Sequence, residues 1–142
     1  MDACSRLSAL ADRIARSPRG AVTPRRFLVA FGLFGAGVRP GLFWPFDAAR
    51  GGYNRLPGTG FAVAFDDSTR GQARHFAGIV AVSARVGPTA ARWASVHIGR
   101  DHPDSADGRL TDEAVEFSRR VLTGQLAPAD APAWIAEHLC GR

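Results

Sequence analysis

The sequence predicts an all-α fold of about five helices in one compact domain, and three observations carry that prediction. Apolar residues recur at helical rather than alternating spacing over most of residues 67–139. Helix-opening residues (Thr23-Pro24, Asp67 or Ser68, Thr111, Pro132) and helix-closing ones (Pro18, Gly87-Pro88, Gly124) bracket those periodic stretches. The chain has 142 residues, 46% hydrophobic and 22% charged, which suffices for one core and rules out a second large domain.

Residues 5–17 form the first predicted helix, with Leu7, Leu10, Ala11 and Ile14 on one side and arginines on the other. Thr23 as N-cap and Pro24 in the first turn open a second, whose continuation from Phe27 to Val38 carries no charge. Arg25-Arg26, this apolar dozen and then Arg39 have the outline of a twin-arginine export signal. However, Phe27 follows the arginine pair directly, and no A-x-A cleavage site precedes Gly41. Twelve residues of helix rise about 18 Å, too short for a bilayer core of about 30 Å, so a buried core helix is the preferred reading.

From 38 to 65 the chain is dominated by Gly, Pro and aromatics, which predicts an irregular connector, with a short hairpin over Tyr53 to Phe65 as its one regular option. Asp67 or Ser68 then caps a helix to about Val86, burying Gln72, Phe76, Ile79, Val80 and Ser83 and carrying Arg70, Arg74 and Arg85 on another face. A helix over about Thr89–Ile98 is expected to turn Trp93, Val96 and His97 inward. Thr111 reads as the cap of the next, with Ala114, Phe117, Val121 and Leu122 as its stripe, and Pro132 opens a last helix burying Trp134, Ile135 and Leu139. Three regions follow: basic helices over 1–37, a connector over 38–65 and a helical core over 66–142.

All 18 basic residues are arginines, and they are unevenly placed. Up to Arg55 there are nine against three acids; beyond it, nine against ten. Attraction to phosphate or an anionic surface therefore belongs to the front half, with Arg19, Arg25, Arg26, Arg70 and Arg74 as candidate anion-binding residues. Cys4 and Cys140 have neither CxxC nor zinc-site spacing; in a reducing cytosol they are free thiols, the preferred reading, and in an exported protein they can clip the termini together.

The densest polar chemistry falls between His75 and Asp112. Imidazole with carboxylate is a metal-ligand set as well as an acid/base pair, which makes His75, His97, Asp101 and His102 candidates for a hydrolytic site without naming a metal. Their spacing fits neither an HExxH helix nor an EF-hand, and GxSxG, P-loop and GxGxxG patterns are absent. The leading expectation is an interaction module, cytoplasmic, whose basic front half meets an anionic membrane surface, nucleic acid or protein partner. The alternative is a small secreted effector-type hydrolase, with export or membrane association through residues 25–46.

Overall fold

Local chemistry explains where the helices begin in the computed structural model, which describes residues 1–17, 23–97, 102 and 104–141. Helix α1 (Ala3–Ala15) is opened by Asp2, whose carboxylate accepts from Ser5 N at 2.8 Å. Helix α2 (Pro24–Ala36) starts as the sequence predicts: Thr23 Oγ1 accepts from Arg26 N at 3.2 Å, and Gly37 ends the helix in a left-handed conformation (φ 69°). The remaining helices are α3 (Trp44–Ala49), α4 (Gln72–Val86), α5 (Pro88–His97), α6 (Ala106–Leu122) and α7 (Ala131–His138), with 3-10 turns at Val63–Phe65 and Pro128–Asp130.

Helix α4 packs on both α2 and α6, while α1 lies on α7 and α2. Aromatic rings tie these elements together: Phe31 meets Phe76 at 6.0 Å, Phe76 meets Phe117 at 5.4 Å, and Phe117 meets Trp134 at 5.1 Å. One face of the charge-free stretch behind Arg25-Arg26 lies in this core, with Phe27, Leu28 and Phe31 fully buried, while Phe34 on another face is 55% exposed. Its glycines let the backbones approach, since a Cβ on Gly32 would stand 2.4 Å from that of Ala81. No helix among the described residues is long and apolar enough to cross a membrane.

The fold class holds, but several finer expectations do not. The described residues contain seven α-helices rather than about five. One lies within the supposedly irregular connector, because Pro45 near a helix start costs nothing where the N–H has no partner to lose. The hairpin does not form: Phe61 makes an isolated antiparallel bridge with Cys140, and Val63 is 91% exposed.

Neither Asp67 nor Ser68 caps α4. Asp67 turns its carboxylate onto Thr69 N and Thr69 Oγ1, and Gly71 precedes the first helical residue. The cap of α6 is Ser105, which accepts from Gly108 N at 3.0 Å, so Thr111 is a buried mid-helix residue. Helix α5 turns Ala91 and Ser95 inward, leaving Trp93 and His97 exposed and stacked on each other. The face of α5 that packs on α4 and α6 thus carries small residues, and the indole of Trp93 lies on the solvent side. The cysteines read as free thiols form a disulfide, with Cα atoms 5.6 Å apart, and it joins the two ends of the chain.

Candidate functional site

Beginning at Arg39, the chain folds over one side of the α2–α4 pair. The fold is held by Asp47, whose fully buried carboxylate accepts from Arg39 N at 3.0 Å, Nε at 2.8 Å and Nη2 at 2.9 Å. These bonds, the side-chain ones foremost, push the Asp47 pKa down to about 2. The segment between the two residues becomes a lip, and three of its apolar side chains point outward: Leu42 is 96% exposed, Phe43 63% and Phe46 62%, while Trp44 is part-buried against the core. Guanidinium groups lie over the lip's rings, Arg39 at 4.8 Å from Phe43 and Arg50 at 5.8 Å from Phe46.

Between the lip, α2 and the end of α4 runs an open groove of about 610 Å³. Val29, Ala30, Leu33, Leu42 and Trp44 give it apolar walls, and Arg25, Arg26 and Arg85 give it charge. Two of these arginines are anchored by backbone carbonyls. Arg25 Nε donates to Ala84 O at 3.1 Å, Arg85 Nη1 to Ala81 O at 2.8 Å, and Arg85 Nη2 to Arg39 O at 3.1 Å. The Arg85 guanidinium also covers Trp44 at 5.3 Å. Burial, and secondarily the charge of Arg25, lowers the Arg85 pKa from its ordinary value. Among the described residues none of the three forms a salt bridge with a carboxylate. The groove thus holds fixed, like-signed guanidinium groups beside apolar walls, an arrangement complementary to an anion carrying hydrocarbon.

Of the predicted anion-binding residues, Arg25 and Arg26 therefore share the groove. Arg70 sits in the turn before α4, exposed, and its carbonyl accepts from Gly58 N and Asn54 Nδ2. Arg74 lies in the first turn of α4, against Gly71. Eleven residues of helix, about 16 Å, separate Arg74 from Arg85. Arg19 lies outside the described residues. The sequence places Arg85 on a helix stripe rather than in the site, puts Trp44 in the irregular connector and does not single out Leu42. The usable signal was the continuous apolar run Leu42-Phe43-Trp44 directly after a Pro-Gly turn.

Each predicted histidine has surroundings of its own. His75 is half-buried in α4, with Nε2 2.7 Å from Thr111 Oγ1 of α6, which in turn lies 3.3 Å from Ser95 Oγ of α5. One turn earlier Gln72 donates to Asp67, which Asp107 also contacts, so a polar seam lines this part of the α4–α6 junction. His97 stacks on Trp93 at 4.7 Å with Nδ1 3.0 Å from Trp93 O. Exposed His102 accepts from Asp104 N at 3.2 Å. Asp101 lies outside the described residues. Among the described residues no group of three or more His, Cys, Asp or Glu side chains is placed to hold a metal ion. Compared with protein-family models, curated proteins and solved structures, the chain matches none.

Proposed function

We propose that this chain is an interaction module that docks on an anionic membrane surface through the lip and the arginines beside it. The observation that carries the reading is that Leu42, Phe43 and Phe46 stand exposed next to Arg25, Arg26 and Arg85, for which the described residues supply no carboxylate. Apolar groups that enter the headgroup region, flanked by cations that meet lipid phosphates, are the two contributions interfacial binding requires. A nucleic acid would use the arginines equally well but would leave Leu42 without a role. The Cys4–Cys140 bond favours an oxidising, exported location over the cytoplasmic one, because thiols are kept reduced in the cytosol.

Vesicle co-sedimentation tests this. The protein should bind phosphatidylglycerol-rich vesicles, bind pure phosphatidylcholine weakly, and lose affinity as salt rises. Replacing Arg25, Arg26 and Arg85 together by Gln removes about 1 kcal/mol each, roughly a 100-fold loss. Equal binding to both vesicle types, or binding to a polynucleotide in place of vesicles, would sink the reading.

A second reading, a small hydrolase working at His75, draws support from the His75–Thr111–Ser95 contacts alone. Thr111 is only 2% exposed, which leaves little room for a substrate to reach it.

A further inference from the structure

The lip residues and the groove behind them differ in kind. A bilayer surface needs only exposed apolar and cationic groups, whereas the groove is concave, and its about 610 Å³ falls in the roughly 300–1,000 Å³ class of small-ligand sites. Its walls are also chemically sorted. Val29, Ala30 and Leu33 follow one another at helical spacing along α2, so they form an apolar track of about one turn, with Leu42 and Trp44 opposite. Arg25 and Arg26 stand one turn before that track, and Arg85 joins them from the last turn of α4.

The arginines are prepared to receive a head group. Arg25 spends one N–H on Ala84 O, and Arg85 spends two, on Ala81 O and Arg39 O. Each guanidinium has five N–H groups, so both are fixed in place with several donors left over. Holding Arg85 half-buried near Arg25 is unfavourable while the groove is empty, and an oxyanion between them removes that repulsion.

We infer that this groove takes a single anionic amphiphile, its phosphate or carboxylate head between Arg25, Arg26 and Arg85 and its single hydrocarbon chain along Val29, Ala30, Leu33, Leu42 and Trp44. The inference rests on the membrane-docking reading for its source of ligand, since a lipid-rich surface is where such a molecule is met. It assigns the groove a different task from the lip: the lip touches the bilayer, and the groove lodges one molecule.

The test uses dodecyl phosphate below its micelle-forming concentration, followed through tryptophan emission. Trp44 lines the groove, so the response should saturate, and it should disappear in Trp44→Phe. Dodecanoate should compete, whereas neutral dodecyl maltoside should bind at least tenfold more weakly and inorganic phosphate should compete only at much higher concentration. Arg85→Gln should weaken dodecyl phosphate at least tenfold. Ala30→Trp, which fills a half-buried wall position, should abolish amphiphile binding and leave vesicle docking intact. Phe43→Ser with Phe46→Ser, two exposed lip positions that do not line the groove, should do the reverse. An emission change that never saturates, equal affinity for the neutral detergent, or unchanged binding in Ala30→Trp overturns the inference. Vesicle docking without amphiphile binding overturns the groove's role alone. Amphiphile binding without vesicle docking upholds the groove and removes the membrane reading.

Discussion

Arg39 and Asp47 close the lip as a bidentate pair: Nε and Nη2 of the arginine meet the two carboxylate oxygens at 2.8 and 2.9 Å, and the Arg39 backbone N–H adds a third bond at 3.0 Å. The carboxylate is fully buried, while the arginine side chain is half-exposed over Phe43. The pair therefore sets where Leu42 and Phe43 stand, and it takes Arg39 out of the set of cations open to a partner.

Acid should loosen this closure. The Asp47 pKa is about 2 in the folded chain against an ordinary 3.8, so its contribution to stability is complete above about pH 4 and is lost as pH falls towards 2. Glu116, held at about 2 by Arg119 and Arg120, acts in the same window and with the same sign. Asp47→Asn should reduce the loss of melting temperature between pH 4 and pH 2 and lower the melting temperature at pH 7 by roughly 5 °C. A variant whose pH profile overlays the parent would show that the pair does not hold the lip.

Reduction of the Cys4–Cys140 bond releases a constraint spanning 136 residues. Long closed loops restrict the unfolded chain most, and losing this one should cost about 2–5 kcal/mol. The α1–α7 contact, including Ser8 Oγ to Pro132 O at 2.8 Å, should open first. Urea titration with and without dithiothreitol measures the effect. A double Cys→Ala variant should match the reduced protein, and an unchanged midpoint in both would refute the clamp.

What the sequence made legible follows from which forces act locally. Thr23-Pro24 gave the start of α2, and the stripes of Phe117-Val121 and Trp134-Ile135-Leu139 gave the inward faces of α6 and α7, because capping and periodicity are near-neighbour effects. Thr111 was misplaced because Thr followed by acids looks like a cap, whereas Ser105 carries the bond that decides. Trp93 was placed inside on hydrophobicity, but the junction it would enter is set by helices distant in sequence. The groove was half visible: Arg25 and Arg26 stood out by charge. Arg85 and Leu42 joined them only through tertiary packing, which no local pattern states.

Gly32 and Gly35 form a close contact between α2 and α4. A Cβ at Gly35 would lie 2.6 Å from Ala77 Cβ, and one at Gly32 would lie 2.4 Å from Ala81 Cβ and 3.0 Å from its Cα. Gly32→Ala gains helix propensity of up to about 1 kcal/mol yet must push the helices apart, with an overpacking cost of about 1–3 kcal/mol. The expected sum is destabilising. The groove should widen with it, because Arg25 is anchored on Ala84 O across the same pair of helices, so dodecyl phosphate affinity should fall together with the denaturation midpoint. A more stable Gly32→Ala would mean that the helices are not in contact there.

His75→Ala separates the module from the enzyme. His75 bridges α4 to Thr111 on α6 at 2.7 Å, and Ser95 of α5 touches the same hydroxyl, so the ring joins three helices well away from the lip. Removing it costs a part-buried hydrogen bond, about 1–2 kcal/mol of stability. Vesicle docking and amphiphile binding should be unchanged, since both are placed at the other end of α4. His75→Gln, which retains a hydrogen-bonding group near Thr111, should recover part of the lost stability. If instead both variants fold with parental midpoints and abolish hydrolysis of an ester or phosphoester substrate by the parent protein, the seam is catalytic and the histidine does chemistry rather than packing. Hydrolysis unaltered in His75→Ala, together with the lowered midpoint, leaves the ring a structural bridge and removes the contact on which the hydrolase reading depends.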